Sequence, residues 1–150
     1  SPNEGVLCHQ INIREMTNQK NNKAIHIVLW VAQGLLAAMF IMAGLMKASQ
    51  PIEVLAESVP WVTEVSSGLV RFIGISELLG GLGLIIPSIF RFKTFLTVWA
   101  ALGLAAVMVL AAGFHASQGE FSAIGMNIVL LAIALFIAWG RSKKTPILAK

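Results

Sequence analysis

A chain of 150 residues that is 57% hydrophobic and 12% charged does not have the composition of a water-soluble domain. It contains no Asp and no Tyr. Its mean hydropathy of +0.79 describes more apolar surface than one core of this size can hide. Eleven Lys and Arg against seven Glu give a net charge of +4, but these charges are placed as membrane flanks, and nucleic acid is excluded as a partner.

Residues 1–23 form a polar N-terminal extension without apolar periodicity. The run from Met16 through Thr17, Asn18, Gln19 and Lys20 to Lys23 reads as an ordinary cytoplasmic start. Residues 1–15 are then expected to be an upstream extension or an appended piece. Cys8, the single cysteine, permits neither an intramolecular disulfide nor a dithiol relay. Residues 24–140 are expected to be a transmembrane domain of four spans, beginning with Ala24 to Met46. That stretch is too long for a signal-peptide core and has no small-residue cleavage pattern, so it is expected to be retained. On it His26, Trp30, Gln33, Ala37, Phe40, Gly44 and Lys47 follow steps of three and four, which gathers every polar residue of the helix on one stripe.

The first connection holds Pro51 at a helix start, Glu53 in the first turn and Pro60 as a stop. These predict a short interfacial helix whose Ile52, Leu55 and Val59 either rest on lipid or, in the preferred reading, cap the bundle mouth. The second span is Ser66 to Ile86. A seven-residue connection with Arg91 and Lys93 leads to the third, Thr94 to Phe114, which is followed by His115. The fourth is Phe121 to Gly140, and residues 141–150 form a basic tail. None of the four alternates with period two, which excludes a β-barrel. The predicted fold is all-α, an integral membrane antiparallel four-helix bundle. Nine of the eleven basic residues fall on one side of it. By the positive-inside rule both termini are then cytoplasmic.

Polar groups inside such spans need a reason, because a charge at the bilayer centre costs about 2.5 to 3.5 kcal/mol on insertion scales. Glu77 lies near the middle of the second span and shares a face with Gly74 and Gly81, so its carboxyl is expected to point into the bundle. Gln33, about 14 Å into the first span by helical rise, is expected at a similar depth and within reach of a hydrogen bond to Glu77. Arg71 is expected to snorkel outward toward Glu64. Sorted by depth, Lys47 and His115 stand at the outer rim, Arg71 and Asn127 below them, and Glu77 with Gln33 at the bottom of a polar funnel open to the outside. Glu77 and His115 are the candidate proton-exchanging, catalytic groups, and Lys47, Arg71, Gln33 and Asn127 the candidate substrate-binding groups. For Gln33 and Asn127 a structural role as interhelical glue is the favoured reading, since interhelical amides commonly serve that purpose.

Other chemistries are excluded. His26 and His115 fall at opposite ends of the spans, so this chain alone does not hold a haem. No His-Glu-x-x-His, phosphate loop or serine elbow is present, and no metal site is expected.

The residues Ala43-Gly-Leu-Met-Lys47, Arg71-Phe-Ile-Gly-Ile-Ser-Glu77, Gly83-Leu-Ile-Ile-Pro87, His115, and Asn127-Ile-Val-Leu-Leu-Ala132 running to Gly140-Arg141 together resemble the DoxX-like family of small four-helix bacterial membrane proteins. The resemblance covers about Val28 to Arg141. It implies an inner-membrane protein, with relatives described as small subunits of quinone-linked oxidoreductases and others tied to oxidative stress or membrane-protein assembly. It also points to Lys47, Arg71, Glu77, His115 and Asn127 as the functional positions, while the cysteines of redox-active relatives are missing. Three functions follow. The first is an accessory subunit of a membrane oxidoreductase, with quinone as the possible cofactor. The second is a non-catalytic assembly factor for another membrane protein. The third is a small proton-coupled carrier, which four spans without an internal repeat make the least favoured.

Overall fold

The computed structural model describes residues 2–148. Ser1 of the extension, and Ala149 and Lys150 of the basic tail, lie outside the described residues. All regular structure among the described residues is helical: α1 (Pro2–Ser49), α2 (Ile52–Ser58), a 3-10 turn (Pro60–Thr63), α3 (Ser67–Phe90), α4 (Phe95–Ser117) and α5 (Phe121–Trp139), which ends in one turn of π-helix (Gly140–Lys144). Four helices are long and apolar enough to cross a membrane, and they match the four predicted spans, with the second and third beginning one residue later than expected.

The polar extension is helical and continuous with the first span. No proline interrupts α1 between Pro2, which suits a first helical position, and Pro51, which follows its end. Its first 23 described residues are exposed, and burial begins only where the apolar stripe does, with Leu29, Gln33, Leu36, Ala37, Phe40 and Gly44 turned inward. The short helix predicted after Pro51 is present as α2. Its Leu55 packs with Val62 and Val70, supported by Met46, Ile52 and Trp61, so the connection covers one end of α1 and α3.

Ser66 caps α3 by accepting the Leu69 N–H at 3.2 Å. The helix does not stop at Ile86 but runs through Pro87 to Phe90. Proline has no N–H to offer the carbonyl four residues earlier. That carbonyl, Gly83 O, instead accepts the Thr97 hydroxyl of α4 at 3.3 Å, which lets the helix pass its proline. The connection to α4 is therefore shorter than the predicted seven residues. It turns on the left-handed residues Arg91 (φ 52°) and Lys93 (φ 46°).

Each long helix packs antiparallel to its neighbours, in the order α1, α3, α4, α5 and back to α1. Glycine sets the closest approaches. A Cβ on Gly44 would lie 2.6 Å from Gly74 O and from Leu78 N, and one on Gly74 would meet Lys47 and Ala48. Gly80 and Gly83 face Leu104 and Ala100 of α4, and Gly140 faces Leu29 of α1. Gly140→Ala is expected to cost about 1–3 kcal/mol in detergent unfolding. The atoms nearest the added methyl belong to the Leu29 side chain, which is fully buried in the core and would have to repack. Around the core of Leu29, Leu36, Leu84, Leu104 and Ile137, large side chains such as Leu35, Phe72, Leu79 and Leu110 point outward and are largely exposed. Water would not tolerate such a belt, and the chain is a multi-pass membrane protein in contact with lipid.

Candidate functional site

The antiparallel register of α1 and α3 decides which polar groups meet. Gly44 lies against Gly74 and Leu78, so the side chain one turn above it, Lys47, reaches down to the buried acid of α3. Lys47 Nζ donates to both carboxylate oxygens of Glu77, at 2.8 and 3.0 Å. Glu77 is 3% exposed, whereas the Lys47 side chain retains 14% of its surface. The acid is thus held at the bottom and the cation nearer the mouth. Lys47 Nζ also lies 5.6 Å from the centre of the Trp61 ring, which stands edge-to-face with Phe114 at 6.0 Å.

These residues wall a cavity of about 390 Å³ at the end of the bundle that α2 covers. His115 and Asn127 also line it. His115 Nδ1 lies 2.8 Å from Glu120 Oε2. The Asn127 amide nitrogen is buried without an acceptor. Four of the six predicted site residues, Lys47, Glu77, His115 and Asn127, therefore gather around one space on elements far apart in sequence.

The other two do not. Arg71 does not pair with Glu64. Its Nη1 donates to the Lys47 carbonyl at 2.8 Å, where a cation satisfies a terminal acceptor of α1 and favours the negative end of the helix. Arg71 thus holds the backbone that carries Lys47 and does not line the cavity. Gln33 does not meet Glu77 either. It falls opposite Leu84 and Ser88, two to three turns of α3, and so at least about 10 Å, from the acid.

At that opposite end a second polar cluster forms. Arg141 Nε donates to Gln33 Oε1 at 2.6 Å. Gln33 Nε2 donates to Leu84 O at 2.6 Å and to Ser88 Oγ at 3.2 Å, and Ser88 Oγ lies 2.7 Å from Thr97 Oγ1. With Thr97 bonded to Gly83 O, one directed chain of donors and acceptors ties the end of α5 to α1, α3 and α4. This is the interhelical glue expected of Gln33. Arg141 Nη1 lies 2.8 Å from His26 Nδ1 and 2.9 Å from Thr145 O, and the guanidinium sits 5.4 Å over the Trp30 ring. Trp30 Nε1 donates to the other ring nitrogen of His26 at 3.1 Å. A neutral imidazole has one acceptor nitrogen, so His26 serves Trp30 or Arg141, not both.

Sequence reading placed Arg141 in the solvated basic tail and His26 at an ordinary interface. Arg141 is only 4% exposed, because the π turn, closed by Thr145 N–H to Gly140 O at 2.8 Å, folds it back into the bundle. The available signal was Gly140 immediately before it, a residue small enough to let the end of α5 touch Leu29.

The model of the DoxX-like family matches residues 31–137, a stretch that contains all six predicted site residues. No curated protein and no solved structure matched the chain. The match spans more than half of the chain, and the chain belongs to the DoxX-like family.

Proposed function

We propose that this protein is an accessory subunit of a quinone-linked redox or oxidative-stress-related complex of the bacterial inner membrane, with both termini cytoplasmic and the Lys47–Glu77 cavity facing the periplasm. The basic residues Lys20, Lys23, Arg91, Lys93, Lys143 and Lys144 belong to the end of the bundle opposite the cavity, as positive-inside orientation requires. Cys8 is the only cysteine and is exposed, so it reports this orientation directly. A membrane-impermeant maleimide is expected to leave it unlabelled in intact spheroplasts and to label it after lysis. Labelling before lysis would reverse the topology.

The observation that carries the reading is the unpaired Asn127 amide beside a buried ion pair in a cavity with aromatic walls. A buried donor without an acceptor costs about 1–3 kcal/mol, and a ligand carbonyl would relieve that cost. A quinone headgroup fits these residues, with an aromatic wall for the ring and Asn127 as donor to a carbonyl oxygen. When bound, a quinone supplies electron-accepting chemistry, with the electrons coming from a partner subunit. In this chain Asn127 orients the headgroup, Lys47 holds the Glu77 carboxylate in position, and Glu77 and His115 are the groups able to exchange protons at the wall.

Quenching of tryptophan fluorescence by a short-chain quinone tests the reading. Asn127→Leu is expected to weaken binding about tenfold, the loss of one hydrogen bond of roughly 1.4 kcal/mol. It should leave thermal stability unchanged or slightly raised, because an unsatisfied buried group is removed. Equal quinone affinity in wild type, Asn127→Leu and Glu77→Gln would reject the site. The second reading, a non-catalytic assembly factor, is favoured by Gly103 and Gly113 of α4 and Gly125 of α5, which have open space where another helix could approach. A co-purifying membrane protein retained in Glu77→Gln, with no bound quinone in either form, would support it over the first.

A further inference from the structure

Among the described residues, Arg141 is a buried cation with no anionic partner. No acidic residue stands between Glu77 and Glu120, and none follows Glu120. The facing stretch of α1, from Met16 to its end, carries none either. All the partners of Arg141 among the described residues are neutral: Gln33, His26, Thr145 and the Trp30 ring. Its third nitrogen, Nη2, is buried with no acceptor among the described residues. The guanidinium cannot rotate to find one, because Nε is held by Gln33 and Nη1 by Thr145.

Arg141 also lines a second cavity, of about 370 Å³, between the end of α3, the start of α4 and the segment after the π turn. Gln33, His26 and Thr145 do not line it, and Nη2 is the one guanidinium nitrogen that none of them engages. Its other polar groups are hydroxyls, those of Ser88, Thr97 and Ser142 among them. Its outer wall is Phe95, Trp99 and Leu102, exposed side chains on the lipid-facing side of α4. Lys93 precedes this wall in the chain, and Lys143 and Lys144 follow Ser142. Arg91 Nε, donating to Leu148 O at 2.8 Å, ties the segment that closes the cavity to the α3–α4 connection.

We propose that this cavity is a binding site for an anionic phospholipid, whose phosphate accepts from Arg141 Nη2 while an acyl chain lies along Phe95, Trp99 and Leu102. An ionised group buried at the end of a span demands a counter-charge. The headgroup layer supplies one at that depth, and basic pockets between helices on the cytoplasmic side suit it. The apolar wall favours a lipid over a free anion. The site is at the opposite end of the bundle from the Lys47–Glu77 cavity, so it stands or falls independently of the quinone reading.

The full chain, delipidated in detergent, would be tested by native mass spectrometry and thermal unfolding with phosphatidylglycerol, phosphatidylcholine or inorganic phosphate. Phosphatidylglycerol is expected to be retained about tenfold more strongly than phosphatidylcholine and to raise the melting temperature. Arg141→Lys, which loses the planar fork, is expected to reduce that retention about tenfold, roughly one charge-assisted hydrogen bond. Because Arg141 also ties helices together, Ser142→Phe provides a second variant. Ser142 is exposed and stands outside the Gln33 network, so the larger side chain should block the cavity and abolish lipid retention without lowering the melting temperature of the delipidated protein. Equal retention of the two lipids, undiminished phosphatidylglycerol binding by Ser142→Phe, or stabilisation by inorganic phosphate alone would overturn the proposal.

Discussion

Lys47→Met is expected to destabilise the bundle by roughly 3–5 kcal/mol, the cost of leaving one member of a buried ion pair without its partner. Glu77 is almost wholly enclosed and has no second cation in contact with it. Glu77→Gln should cost less, about 1–3 kcal/mol, for two reasons. The amide keeps an acceptor for Lys47, and the lysine stem can carry its ammonium to the partly open mouth. Combining Lys47→Met with Glu77→Leu should recover most of the loss, since an apolar pair of similar volume is often as stable as a buried ionic one. Reversible unfolding in detergent, read as a double-mutant cycle, measures all three. If Lys47→Met proved no more damaging than Glu77→Gln, the acid would have another source of compensation and the pair would not be the pillar of the site.

Gly44→Val is expected to be comparably severe, about 3 kcal/mol or more. The atoms its Cβ would meet, Gly74 O and Leu78 N at 2.6 Å and Leu78 Cα at 2.9 Å, are backbone atoms. No rotamer relieves that contact, so α1 and α3 must move apart. Because Gly44 lies one turn from Lys47, the separation also lengthens the Lys47–Glu77 contact and the Arg71 bond to Lys47 O. Loss of stability and of quinone binding should therefore appear together. Gly34→Ala is the matched control. Nothing lies within 4 Å of the position a Cβ would take there, and removing a helical glycine should stabilise by about 0.5–1 kcal/mol. Thermal unfolding of the two variants side by side separates close packing from the general cost of altering a glycine in a span.

Both effects trace to features legible before any coordinates. The stripe on α1 that ends at Gly44 and Lys47, and the face of α3 carrying Gly74, Glu77 and Gly81, follow from the angular period of a helix alone, and the structure turns both faces toward each other. The errors share a different origin. The expected pairing of Gln33 with Glu77 follows from depth counting, which assumes that the start of the first span lies level with the end of the second. In the bundle the glycine contacts slide α1 along α3 until Gly44 meets Gly74 and Leu78. Gln33 then falls two to three turns from the acid, while the long arm of Lys47 reaches it. Arg71 is expected to snorkel outward to Glu64, but the end of α1 offers it the Lys47 carbonyl instead. The second span is expected to end at Ile86, just before Pro87, and only α4 shows that Thr97 supplies the donor that proline withholds.

By itself, then, the sequence determined the solvent this protein folds in, the number of helices, the faces they bury and the family to which the chain belongs, because apolar length and helical period are properties of a single segment. The tertiary structure alone decided which polar groups share a space. It placed Lys47 on Glu77, assigned Gln33 to Arg141, and drew a residue of the basic tail into the core. Those outcomes depend on the axial offset between packed helices, and that offset is set where glycine lets two backbones touch, a relation between segments that no single segment encodes.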